Sequence, residues 1–191
     1  MRKTSNALEL LNADQQSIAA LFASFSMLCA GDATPADKGA VAGAICVAMS
    51  VHTQIEEEFF YPALRAAASD AAMIDEVEVE QLLAKDLIAQ ISSMQAGDAL
   101  FEARVKVLRK SHERHVIRSE SALFPQARIS GLDLDGLGAA LDARRRQLQS
   151  EYQAIEGGRP RFDAAGDAIG RRTLMQGGAR PSGALQARVA A

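Results

Sequence analysis

Residues 52–62 read His52-Thr53-Gln54-Ile55-Glu56-Glu57-Glu58-Phe59-Phe60-Tyr61-Pro62, and residues 115–125 read His115-Val116-Ile117-Arg118-Ser119-Glu120-Ser121-Ala122-Leu123-Phe124-Pro125. The histidine-to-proline spacing is the same in both, and an aromatic residue precedes each proline. In each stretch the histidine and the residue four places on share one face of a helix. Further upstream, Leu11-Asn12-Ala13-Asp14-Gln15 corresponds to Val77-Glu78-Val79-Glu80-Gln81. The chain therefore reads as two helical hairpins related by a pseudo-twofold axis, with polar groups facing one another across the centre.

Apolar spacing extends the reading outward from these blocks. One stripe is Leu8, Leu11, Gln15, Ile18, Phe22, Phe25 and Cys29. A second follows the turn from Gly31 to Pro35 and a cap expected at Asp37; it is Ile45, Met49, His52, Glu56 and Phe59, with Pro62 expected to disturb or end the helix. The third is Ile74, Val77, Gln81, Ala84, Ile88 and Ile91, and the fourth is Phe101, Val105, Leu108, His112, His115, Ser119 and Ala122, before Pro125. Every stripe is interrupted by polar residues near its middle. Four such segments, each roughly 30 to 40 Å long at 1.5 Å per residue, predict an all-α, up-down-up-down antiparallel four-helix bundle. A shorter helix over about residues 134–152 is expected to pack on the outside.

The composition fits that fold and narrows the function. A chain of 191 residues with 48% apolar and 5% aromatic residues and no Trp favours one helical domain over a β-sandwich. Residues 1–156 are expected to form the bundle domain. Residues 157–191, rich in Gly, Arg and Ala, are expected to form a flexible, disordered tail. The net charge of −3 argues against nucleic acid as the main partner. Ser17 to Ala30 is apolar enough to imitate a signal-peptide core, but Glu9 and Asp14 precede it and the stripe runs on upstream. No segment reads as a membrane span, and the only cysteines, Cys29 and Cys46, sit on core stripes, so a reducing cytoplasmic setting is expected. The acidic run 54–90 and the basic segment carrying Arg104, Lys106, Arg109, Lys110, Arg114 and Arg118 are expected to be neighbouring helices of opposite sign.

His52 with Glu56 and the acidic pair after it, Tyr61-Pro62, Glu80, Lys85, Leu87-Ile88, Val107-Leu108, His115, Phe124-Pro125 and the downstream block from Gly131 to Gly138 resemble the bacterial hemerythrin-like family with the HHE cation-binding domain. The resemblance covers roughly residues 5 to 150 and involves ordered blocks in four helices. It implies a four-helix bundle around a non-haem di-iron centre, with roles in sensing or handling oxygen, nitric oxide, peroxide or iron. The family pattern asks for His on the first helix, His-x3-Glu on the second, His on the third and His-x3-Glu on the fourth. This chain keeps His52, Glu56 and His115 and departs at Gln15, Gln81 and Ser119.

Those departures bear directly on chemistry. Bridging two irons takes facing carboxylates and several imidazoles, and neither a neutral amide oxygen nor a serine hydroxyl replaces them. The sequence therefore points to a remodelled site, mononuclear or an incomplete di-iron pair, built on His52, Glu56 and His115. His112 lies three residues from His115 on the same face and could add a third nitrogen, or could serve a structural role. Glu120, one position off the stripe, is a reserve ligand; Gln15 and Gln81 are weak ligands or fillers of a polar layer. Non-haem iron is the metal the family implies, with Zn, Mn or no metal as alternatives, and a small diatomic molecule as a further ligand. A homodimer is left open. The opposing reading is a metal-free structural or interaction module in which the same residues satisfy one another by hydrogen bonds. Binding or sensing is expected over turnover catalysis, and no catalytic residue is assigned.

Overall fold

The structure, a computed structural model, describes residues 5–67 and 72–156. Among these residues only helices occur: α1 (Ala7–Ala30), α2 (Pro35–Ile55), α3 (Tyr61–Ala67), α4 (Ala72–Ser92), α5 (Phe101–Arg118), α6 (Phe124–Ile129) and α7 (Leu134–Glu156). Five-residue π-helical turns, Glu56–Phe60 and Ser119–Leu123, run without a break from α2 into α3 and from α5 into α6. The expected disordered tail, 157–191, lies outside the described residues.

Local chemistry sets the helix starts. Asn6 caps α1, accepting from the Glu9 N–H at 3.0 Å while the Glu9 carboxylate accepts from the Asn6 N–H at 3.1 Å. The cap of α2 is Thr34 and not Asp37 as the sequence suggested: Pro35 supplies a preset first turn, and Asp37 is the reciprocal third-position partner of the Thr34 hydroxyl.

Helix α1 packs on α2, α2 on α4, α4 on α5 and α5 on α1, closing a ring of four. Ion pairs show the directions. Lys38 near the start of α2 meets Glu102 near the start of α5 at 2.8 Å, so these two run parallel. Arg118 at the end of α5 reaches Glu76 near the start of α4 at 2.9 Å, so those run antiparallel. The expected contact between an acidic α4 and a basic α5 is thus present. Helix α7 covers α1 and α2 from outside, where Arg145 meets Asp14 at 2.6 Å and Arg144 meets Glu58 at 2.7 Å.

Two apolar clusters fill the interior. One holds Leu8, Leu11, Ile55, Phe60, Tyr61, Leu64, Ile74, Val77, Leu123 and Phe124. The other holds Ile18, Phe22, Phe25, Ile45, Met49, Ala84, Ile88, Phe101, Val105 and Leu108. Between them, on all four helices, lie Gln15, His52, Glu56, Gln81, His112 and Ser119, all buried. A polar layer therefore cuts the core across its middle, as the interrupted stripes require.

The prolines account for the π turns. Proline lacks an N–H and its ring crowds the carbonyl four residues back, so a regular helix is disrupted at that point. Here the preceding turn widens instead: Tyr61 N–H donates to the Glu56 carbonyl and Phe124 N–H to that of Ser119, each spanning five residues. Pro62 thus does not end its helix, which continues to Ala67. The extra residue also advances the buried face by one, so Phe60 and Tyr61 are inside where the stripe indicated Phe59, and Leu123 and Phe124 where it indicated Ala122.

Gly138 fixes the seat of α7. A Cβ there would lie 2.5 Å from the Ser5 carbonyl oxygen and 2.7 Å from the Ala7 nitrogen, both backbone atoms that cannot swing aside. Gly138→Ala should therefore destabilise by about 2 kcal/mol despite the better helix propensity of alanine. Thermal unfolding followed by circular dichroism should show the midpoint lowered by roughly 4–8 °C.

Candidate metal centre

Glu56 is the centre of the polar layer. It is wholly buried, at 0% exposure, on the first residue of a π turn. Its Oε2 accepts from the Tyr61 hydroxyl at 2.9 Å and from the Gln81 amide nitrogen at 2.6 Å. The other amide proton of Gln81 reaches the Tyr61 oxygen at 2.7 Å, closing a ring of three residues. On the opposite side, Oε1 faces His115 Nε2 at 3.3 Å and His52 Nε2 at 3.5 Å. The two imidazole centroids are 5.9 Å apart with their planes nearly perpendicular.

Each position has a local cause. His52 and Glu56 are one turn apart at the end of α2, and His115 occupies the matching place at the end of α5, which runs parallel to α2. Gln81 comes from mid-α4. Tyr61 reaches Glu56 because the widened turn brings its ring inward. Sequence reasoning missed its role, since a 3.6-residue period selects Phe59; the aromatic-proline pair shared by both halves was the available signal.

Electrostatics favour a carboxylate beside a neutral His52, while the same carboxylate draws His115 towards its charged form. Burial by itself would raise the Glu56 acid, but His52 and His115 with the hydrogen bonds on it hold it at about 2. Burial pushes His52 down, against the pull of Glu56. Burial also opposes the charged form of His115, yet adjacent Glu56 more than offsets this and leaves it above the ordinary value. The Tyr61 hydroxyl is driven well up, by burial and then by Glu56, and so remains a donor.

His52, Glu56 and His115 each offer a donor atom within 4.8 Å of the others, the one such group of His, Cys, Asp and Glu among the described residues. A metal with bonds of about 2.1 Å separates neighbouring tetrahedral ligands by about 3.4 Å, close to the two distances from Glu56 Oε1. Both nitrogens of the buried His52 lack a hydrogen-bond partner, and so do both side-chain atoms of Gln15 and Oε1 of Gln81. Unsatisfied buried polar groups cost roughly 1–3 kcal/mol each, and an ion on His52 would remove one such cost. A small cavity of about 20 Å³ lies beside these groups, lined by His52, Glu56, Gln81, His112 and His115 among others. The donor set fits one ion.

The other sequence candidates are placed differently. His112 is buried in the same layer, stacked at 5.8 Å on Phe22, but its Nε2 donates to the Gln15 carbonyl at 3.1 Å and it is not among the three convergent donors. Glu120 is exposed and faces a groove with Asn6, Glu9 and Arg128, away from Glu56. Gln81 gives its amide nitrogen to Glu56, and its Oε1 is buried beside the cavity without a partner. Ser119 Oγ lies 3.3 Å from His115 Nε2.

Residues 6–127 match the hemerythrin HHE cation binding domain. The chain belongs to the hemerythrin HHE cation-binding family. A crystal structure of an HHE cation binding domain-containing protein from Mycobacterium kansasii shares the fold, with a TM-score of 0.67 at 21% sequence identity over 82% of this chain and 95% of that one. A comparison with curated proteins gives no match. Within this hemerythrin-like bundle the ligand pattern implied by the resemblance is thinned at Gln15, Gln81 and Ser119, and what converges is the trio His52, Glu56 and His115.

The layer has a pH signature. Burial, and then the proximity of His52, lower His112 to about 4. The unfolded chain, with an ordinary imidazole near 6.5, binds the proton first, so stability is full above pH 6.5 and falls as the pH drops towards 4, by about 3 kcal/mol in all. Metal-free wild type should lose thermal midpoint over that window, whereas His112→Leu should show a visibly shallower decline. Equal slopes in parallel melts would show that His112 does not titrate as described.

Proposed function

We propose that this hemerythrin-like protein holds a divalent metal ion, iron by family expectation, through His52 Nε2, Glu56 Oε1 and His115 Nε2, and serves in metal binding or small-molecule sensing. The observation that carries the reading is the buried His52 with neither nitrogen satisfied, set 3.5 Å from a buried carboxylate. A metal-free polar layer pairs Glu56, Tyr61, the Gln81 amide nitrogen and His115 with one another, but leaves both nitrogens of His52 without a partner. Two imidazoles and one carboxylate suit iron, zinc or manganese. A ferrous ion so held supplies open positions for a small ligand such as oxygen, nitric oxide or peroxide. Around it, the chain's own residues orient and insulate: Tyr61 and Gln81 fix Glu56, and Met49 and Ala84 line the cavity wall. Cys29 and Cys46 are free thiols, and among the described residues no helix is long and apolar enough to cross a membrane; both accord with work in the cytoplasm.

Chelator-stripped protein reconstituted with Fe, Zn or Mn should retain metal after desalting, at far more than one tenth of an ion per chain by elemental analysis. His52→Ala and Glu56→Ala should each weaken retention at least tenfold while keeping helical circular dichroism. Metal at about 100 times its Kd should stabilise the wild type by about 2.7 kcal/mol. Retention below one tenth with all three metals would overturn the proposal.

A further inference from the structure

We propose that Gln81 and Tyr61 restrict this centre to a single metal ion by occupying Glu56 Oε2, so that only Oε1 can coordinate. The inference rests on the metal-binding reading above and adds the number of ions and what sets it.

A carboxylate joins two metals by giving one oxygen to each. Oε2 of Glu56 already accepts two hydrogen bonds, from Gln81 at 2.6 Å and Tyr61 at 2.9 Å, which use both of its lone-pair positions. The amide cannot turn over to offer its oxygen there. Gln81 Nε2 also donates to the Tyr61 oxygen at 2.7 Å, so a reversed amide would set oxygen against a carboxylate and against a phenol whose proton is committed to Glu56. A second ion on Oε2 would have to displace both buried hydrogen bonds that this oxygen accepts. Losing one partner of such a set leaves a buried polar group unpaired, which is costliest where that group is charged.

The other half of the repeat points the same way. Ser119 stands where the repeat would place the counterpart of Glu56, and its hydroxyl sits against His115. Gln15, the counterpart of Gln81, has no carboxylate to receive its amide and is left 1% exposed with both side-chain atoms unpaired. One half of the layer therefore holds a locked carboxylate, and the other holds none.

The full-length protein, stripped with chelator, loaded with excess Co(II) and gel-filtered, should carry one cobalt per chain. Ser119→Glu, which restores the second carboxylate of the repeat, should still carry one, and Ser119→Glu with Gln81→His should carry two. Two ions in the wild type or in Ser119→Glu alone would overturn the inference, as would one ion in a double variant that elutes and folds like the wild type. If the double variant does not fold, the visible spectrum of cobalt-loaded Gln81→Leu with Tyr61→Phe decides: Oε2, freed of both donors, should raise the coordination number and weaken the d–d absorption, and an unchanged spectrum would overturn it. No cobalt in the wild type would remove the metal-binding reading itself, a result distinct from two ions.

Discussion

A buried carboxylate is the constraint on which the rest of this molecule depends. Taking Glu56 out of water costs several kcal/mol, and the fold offsets that only by bringing donors from other elements to within hydrogen-bonding distance. Tyr61 comes from α3, Gln81 from α4 and His115 from α5, with His52 one turn back on α2. Their convergence fixes the axial register of three helices in the ring. Apolar clusters alone tolerate sliding by a turn, since leucine against isoleucine reads much the same at either register; a charge with named partners does not.

The prolines and the carboxylate act together. Pro62 would break a regular helix, and the wider turn that accommodates it begins at Glu56 and ends just before Tyr61. The same departure from regular geometry that spares the helix brings the phenol onto the carboxylate. The second copy of the device, at Ser119 and Phe124, has the same backbone with a serine at the inward position of Glu56, so the turn there buries Phe124 with no carboxylate for it to meet. Backbone architecture is thus shared by both halves, while the chemistry resides in one.

Much of this was legible in the residues. The stripes gave the inner faces of α1 and α4 through to Phe25 and Ile91, and the break in every stripe located the polar layer, because buried polar groups must lie opposite one another to be satisfied. The repeat aligned His52 with His115, and the family resemblance joined Glu56 to them. What could not be read was anything decided by a departure from 3.6 residues per turn or by side-chain direction. The inward position of Tyr61 and the shift from Ala122 to Leu123 arise from the π turns. The outward position of Glu120 and the tie of His112 to the Gln15 carbonyl depend on rotations that spacing leaves undetermined. The Thr34 cap was obscured because Thr and Asp both cap helices, and only the proline between them favours the earlier site.

The central claim is that two imidazoles and one carboxylate meet on a metal. X-ray absorption at the metal edge of the loaded protein tests it most directly, because ring atoms beyond the first shell give imidazole a scattering pattern that water and carboxylate lack. The account predicts a nitrogen and oxygen shell near 2.1 Å with two imidazoles per ion, falling to one in His52→Ala. A shell without imidazole scattering, or one unchanged by that substitution, would contradict it.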